Sequence, residues 1–173
     1  MPEVEVVITH LAMETPSALR APARAMPIGL TLHLESPVTA PRVAAACYRT
    51  IGGPWHWVDR LPWSDAEWNA AISRPGVEVV TLRDSEGGIA AYAELAASGD
   101  DVELRYFGVA PDRLGQGIGG AFLADVVRHA WERRPARVVL NTCSLDGPAA
   151  LPNYLARGFR VTREERVLRM VTT

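Results

Sequence analysis

The residues best suited to chemistry begin with Gly115-Gln116-Gly117-Ile118-Gly119-Gly120. They follow an apolar, β-branched stretch ending at Val109 and a proline at 111, and they open a run with helical periodicity. Glycines at 115, 117, 119 and 120 remove side chains where a backbone must approach a ligand closely. The start of the following helix supplies unpaired N–H groups and a partial positive charge, a combination suited to a pyrophosphate. Gly115, Gly117 and Gly120 also match the dinucleotide fingerprint. That fingerprint follows its strand directly, whereas Ala110 to Leu114 intervene here. Among acids and bases, Glu94 and Glu103 sit on two apolar stretches joined across Ser98-Gly99-Asp100-Asp101, and opposite neighbours in a hairpin can converge on one face. His56 has a reference pKa of about 6.5, near neutrality. It lies among Trp55, Trp57 and Trp63, close to Asp59 and Arg60. Aromatic walls with a few polar groups suit a small-molecule pocket, and indole faces suit a cationic amine.

Other chemistries are excluded by composition. The chain has no lysine, so Schiff-base and lysine-nucleophile mechanisms are absent. Cys47 and Cys143 form no CxxC pair and have no ligand-like histidine spacing, which argues against a zinc site or a disulfide framework. Charged residues make up 22% of the chain and the net charge is −2, with no basic cluster to expect a nucleic acid. No stretch approaches the roughly 20 apolar residues of a membrane span. The first residues lack the basic and apolar segments of a signal peptide. A cytoplasmic protein is expected, and a homodimer is left open.

These residues must be positioned by the elements around them. Val4 to Met13 reads as a strand, Thr15 to Pro27 as a proline-punctuated arm, and Leu30 to Glu35 as a strand. Thr39 to Ile51 has helical spacing with Pro41 in its first turn. Ser64-Asp65-Ala66-Glu67 has the form of a capping box opening a helix to Ile72. Strands follow at Val77 to Arg83, Ile89 to Ala97 and Val102 to Val109. The glycine segment leads a helix to about Arg134, with Ile118, Phe122, Val126 and Ala130 on one face. Arg137 to Cys143 is a strand, and Asp146 to Arg157 reads as a helix capped by Asp146 and ended by Gly158. Phe159 to Val161 and Arg166 to Val171 read as a short strand pair. With 173 residues, this is one α/β domain spanning 1–173, of which 1–27 form an N-terminal strand and arm.

Phe107-Gly108-Val109-Ala110-Pro111 through Gly120, together with Asp146-x-x-Ala149, Tyr154 and Gly158-Phe159, resemble the two signature regions of the GNAT superfamily of N-acetyltransferases. The resemblance covers Val77 to Phe159. Tyr106-Phe107-Gly108 and Thr142-Cys143-x-Leu145-Asp146 are similar to a bacterial group of unassigned acceptor.

The resemblance implies a mixed, mostly antiparallel sheet of six to seven strands with about four helices, splayed between its fourth and fifth strands to hold acetyl-CoA. The backbone of Phe107, Gly108 and Val109 would bond the pantetheine and acetyl carbonyl. The amides of Gly115, Gln116, Gly117, Ile118, Gly119 and Gly120 would hold the pyrophosphate. Asp146 stands where an asparagine is common, either as a cap or as a cofactor contact. Leu114 replaces the usual Arg or Gln, leaving a backbone cradle. Tyr154 matches the tyrosine that protonates the departing thiolate. Asn141 occupies the position of a glutamate base found in some members and cannot act as one. Glu94, then Glu103 and His56, remain as proton acceptors, with a water chain as a further route. The segment Gly52 to Trp63 would wall the acceptor site through Trp55, Trp57, Asp59 and Arg60. The expected activity is acetyl transfer to the amine of a small molecule. A CoA-binding regulator and a dinucleotide-binding oxidoreductase are the alternatives.

Overall fold

A computed structural model describes residues 2–171. Seven strands, β1 (Glu3–Met13), β2 (Thr31–Leu34), β3 (Val77–Arg83), β4 (Ile89–Ser98), β5 (Asp101–Val109), β6 (Val138–Cys143) and β7 (Arg160–Met170), form one sheet. Four helices accompany it: α1 (Ala40–Gly52), α2 (Asp65–Ile72), α3 (Ile118–Glu132) and α4 (Ala150–Ala156). The strand order is β2-β3-β4-β5-β6-β1-β7. Every pairing is antiparallel except β5 with β6. That excludes the parallel, doubly wound sheet a dinucleotide-binding oxidoreductase would need.

Local chemistry explains the elements. Ser64 and Glu67 form the capping box of α2: the Glu67 N–H donates to the Ser64 hydroxyl, and the Ser64 N–H donates to the Glu67 carboxylate at 2.7 Å. Pro41 sits in the first turn of α1, where its missing N–H is harmless. Each face of the sheet buries its own core. Phe122, Leu123, Val126 and Val127 of α3 pack with Leu82, Leu95 and Leu104 on one side. Tyr48 and Ile51 of α1 and Trp68 of α2 pack with Val79 and Tyr92 on the other.

Two expectations are corrected. The C-terminal segments are not a strand pair but one continuous strand, β7, whose partner is β1, with a register shift at His10/Leu11. Pairing over some 150 residues of separation leaves no local signal. The late helix begins at Ala150, and its N-cap residue, Ala149, offers no side-chain bond. The Asp146 carboxylate instead accepts from the Thr142 hydroxyl at 2.6 Å and the Cys143 N–H at 2.8 Å, tying down the end of β6.

β5 and β6 pair only at Val102↔Val138, Glu103↔Val139 and Leu104↔Leu140. Beyond Leu104 the β4–β5 ladder slips, Leu95 facing Leu104 but Glu94 facing Tyr106, so Arg105 is the extra residue of a bulge. A bulge bends its strand and ends regular pairing. From there β5 stays with β4 while β6 stays with β1, through Asn141, Thr142 and Cys143. The sheet opens between its fourth and fifth strands.

Candidate active site

The opening is a cavity of about 520 Å³. At one end lies the glycine turn. Gly115 and Gly117 have φ of +78° and +76°, backbone that L side chains rarely adopt. Gly117 is the N-cap residue of α3 and, having no side chain, caps nothing, so the first-turn amides of α3 keep their hydrogen-bonding capacity. Gly115, Gly117, Ile118, Gly119 and Gly120 line the cavity, whereas Gln116 is exposed and stands off the wall. Asn153 of α4 donates to the Gly119 carbonyl at 3.2 Å, a contact sequence reading missed. Arg113 lines the cavity and donates to Asp84 at 2.6 Å, so its charge is already partnered.

Midway along, Phe107, Gly108 and Val109 form the β5 lip. Tyr154, 7% exposed, faces it. Its ring meets Phe107 edge-on at 6.2 Å and Phe159 at 6.2 Å, and Phe107 stacks on Phe122 at 5.3 Å. Burial and the nearby Asp146 carboxylate push the Tyr154 phenol well above its ordinary value, so it is protonated throughout the neutral range. Cys143 lines the cavity, but burial and Asp146 raise its thiol. Burial pushes the Cys47 thiol up to about 12, an unreactive core position.

At the far end, Trp55, His56, Trp57, Asp59 and Arg60 all reach the cavity wall, joined by Tyr48, Glu103, Arg105 and Tyr106. Trp57 packs between Tyr48 (5.6 Å) and Tyr106 (5.0 Å). Trp55 crosses the opening: a Cβ placed on Gly147, beyond β6, would stand 3.1 Å from its ring. His56 holds a left-handed conformation, φ +59°, uncommon for a residue with a side chain.

Glu94 is corrected as first-ranked proton acceptor. It is fully buried and does not line the cavity. Arg60 Nη1 donates to one carboxylate oxygen at 2.7 Å and Nη2 to the other at 2.9 Å. The Arg60 guanidinium is boxed by Trp63 (4.7 Å), Trp68 (5.5 Å) and Tyr106 (4.5 Å). Arg60 therefore anchors the aromatic segment and is not free to hold an acceptor. Glu103 stands opposite Ala96, not Glu94; it lines the cavity 3.6 Å from Arg105. The Arg60–Glu94 pair was invisible in sequence because the partners lie 34 residues apart. Among the described residues no cluster of His, Cys, Asp and Glu could hold a metal ion.

A sheet opened by a bulge, with a glycine-lined helix start at one end of the gap and a tyrosine at its middle, is the architecture of an acyltransferase. Residues 44–159 match the model of the acetyltransferase (GNAT) family, and the chain belongs to that family. No curated protein matches the chain significantly. Among solved structures it is similar to a GCN5-related N-acetyltransferase from Sphaerobacter thermophilus, with TM-score 0.74 and 18% identity over 94% of this chain and 50% of that one. A GCN5-related N-acetyltransferase from Kribbella flavida gives TM-score 0.64 and 21% identity over 94% and 56%. The ribosomal-protein-S18-alanine N-acetyltransferase from Escherichia coli gives 0.59 and 22% over 76% and 77%. The chain thus spans about half the length of the first two. These likenesses establish the fold. The family's chemistry is acyl transfer. No helix is long and apolar enough to cross a membrane among the described residues.

Proposed function

We propose that the protein transfers the acetyl group of acetyl-CoA directly to the amine of a small molecule. The observation that carries this reading is the single cavity joining the α3 glycine turn, the Tyr154 ring and the aromatic segment. The turn would receive the pyrophosphate, and the unpaired edge of β5 at Phe107 to Val109 the pantetheine and the thioester carbonyl. As the amine nitrogen bonds to the acetyl carbon, the C–S bond breaks and its electron pair passes to sulfur. Tyr154 offers its phenol proton to that sulfur. A free thiol has a pKa of about 8.5, below that of this phenol, so the gain comes from hydrogen bonding to the developing thiolate as much as from complete transfer.

The amine must first lose a proton. An alkylamine with pKa of about 10 is roughly one part in a thousand neutral at pH 7, an adverse term of about 4 kcal/mol. Glu94 is sequestered by Arg60, whereas Glu103 and His56 face the cavity, alongside Asp59 and an Asp146 already bonded to Thr142 and Cys143. We assign Glu103 the proton, passed on to solvent, because its strand also forms the lip at which the acetyl group would lie.

Trp55 and Trp57 supply apolar and π faces for a compact cationic amine. The Escherichia coli neighbour is named for an alanine of ribosomal protein S18, so a peptide N-terminus is the competing acceptor. Asn141, at the cavity where a carboxylate base could stand, supports the second reading, a CoA-binding regulator. Thiol release from acetyl-CoA against a panel of small amines and alanine-initiated peptides decides among them. Turnover with small amines is expected. Turnover with peptides alone overturns the acceptor assignment, and tight binding with no release by any amine favours the regulator.

A further inference from the structure

The glycine turn lacks a free cation of its own. Leu114 is exposed at its opening, and Arg113 is bonded to Asp84. Two arginines from elsewhere pack against its glycines. The N-terminal arm is moored to α4 by the Arg20 N–H, which donates to the Arg157 carbonyl at 2.9 Å. Gly158 backs directly onto the Ala18 carbonyl, leaving no room for a Cβ. From that mooring the arm crosses the first turn of α3. A Cβ placed on Gly117 would lie 2.9 Å from Arg24 Cδ and 3.4 Å from its Nη1. One placed on Gly120 would lie 2.8 Å from Arg157 Nη1 and 3.5 Å from Pro22 Cβ. Both glycines line the cavity, whereas the two arginines adjoin them without belonging to its wall.

No carboxylate stands within 4.0 Å of either guanidinium among the described residues. Arg157 is only 8% exposed and its Nε has no hydrogen-bond partner. A buried, unpaired cation is unfavourable, and the positive end of α3 beside it makes it more so. An anion shared by the helix start and the two arginines removes both penalties at once.

We infer that Arg24 and Arg157 are side-chain ligands for the phosphate groups of the acyl donor, with Arg24 delivered across the turn by the N-terminal arm. The inference rests on the acetyl-CoA reading above. The arm's cation takes the place of the one that Leu114 cannot supply.

Titration calorimetry with CoA and with pantetheine, which has no phosphate, tests this on the full chain. Arg24→Gln is expected to weaken CoA roughly tenfold, as for loss of one charge-assisted hydrogen bond. Its CoA affinity should fall less steeply with salt than the wild type's, and pantetheine affinity should be unchanged. Arg24 is exposed, so the melting temperature without ligand should not move. Arg157→Met should also weaken CoA while leaving the unliganded melting temperature equal or higher, because it removes an uncompensated buried charge. Wild-type affinity for CoA in Arg24→Gln overturns the arginine assignment alone. A lower melting temperature with intact CoA affinity in Arg157→Met makes that residue structural and overturns its half. Wild-type protein that binds neither CoA nor acetyl-CoA overturns the donor reading and this inference together.

Discussion

Glu94→Ala separates the structure's account of the buried carboxylate from the role sequence reasoning gave it. The substitution leaves Arg60 buried with no partner for the two bonds at 2.7 and 2.9 Å. Breaking one side of a buried ion pair costs about 3–5 kcal/mol. Arg60 keeps its box of Trp63, Trp68 and Tyr106, a cation–π contribution of about 0.5–2 kcal/mol, which points to the lower end, near 3 kcal/mol. For a domain of this size that is a fall in melting temperature on the order of 10 °C. Urea unfolding followed by tryptophan fluorescence reads it directly, since Trp57, Trp63 and Trp68 all belong to this cluster. Replacing both partners by Arg60→Met with Glu94→Leu should recover most of the loss, because an apolar pair of similar volume needs no charge compensation. Below the transition, turnover by the folded Glu94→Ala protein should stay within a few-fold of wild type, with the acceptor KM raised by a loosened aromatic segment. A stable Glu94→Ala protein whose kcat falls a hundredfold or more would refute this reasoning and restore Glu94 as the base.

Tyr154→Phe keeps the ring packed between Phe107 and Phe159 and removes only the proton, so kcat should fall about a hundredfold with acetyl-CoA affinity intact; unchanged turnover removes Tyr154 as the acid. Gly147→Val pushes a side chain into the Trp55 ring, about 3.1 Å from the first added carbon, and should raise the acceptor KM while sparing acetyl-CoA binding; equal effects on both would separate Trp55 from the acceptor end. Burial works against the Glu35 carboxylate, but bonds from Thr81, Arg83 and Thr39 outweigh it and hold its pKa below the usual range. Its stabilisation is therefore present above the unfolded carboxylate pKa and is lost as pH falls through the lower folded value. Glu35→Gln should flatten the acid limb of the stability profile, and an unaltered limb counts against the bonding pattern.

Features set within a few residues were legible in sequence. The capping box at Ser64 and Glu67, the hairpin joining β4 to β5 and the glycine turn before α3 each involve groups close along the chain. Asp146 shows the limit even there. An aspartate before a helical stretch reads as a cap, yet here it turns back to Thr142 and Cys143, because its carboxylate is closer to the end of β6 than to the later start of α4. The cavity-facing positions of Trp55, Trp57 and Tyr154 were expected from the family resemblance, and that of Glu103 from its place on a hairpin strand. What escaped was pairing between distant segments: Arg60 with Glu94, β1 with β7, and the arm against α3. The one-residue bulge at Arg105 escaped as well, and with it the register that separates Glu103 from Glu94.

The order of the sheet explains how such an opening can exist without fraying. Two strands that part must each be held from behind, because an unpaired strand exposes its backbone on both edges. β5 is held by β4 up to Val109, opposite Ala91. β6 is too short to hold itself, and β1 backs it from Val138 to Cys143 before pairing on its other edge with β7 along nearly its whole length. The N-terminal strand is therefore the wedge that keeps the lower lip of the cleft rigid. The chain leaving that strand at Met13 becomes the arm that passes Ala18, Pro22 and Arg24 over α4 and the first turn of α3. One continuous segment, residues 3–24, thus backs the cleft at one end of its path and lies against the first turn of α3 at the other. Loosening the mooring at Gly158 should then be felt as weaker donor binding even though no residue of the cavity wall has changed.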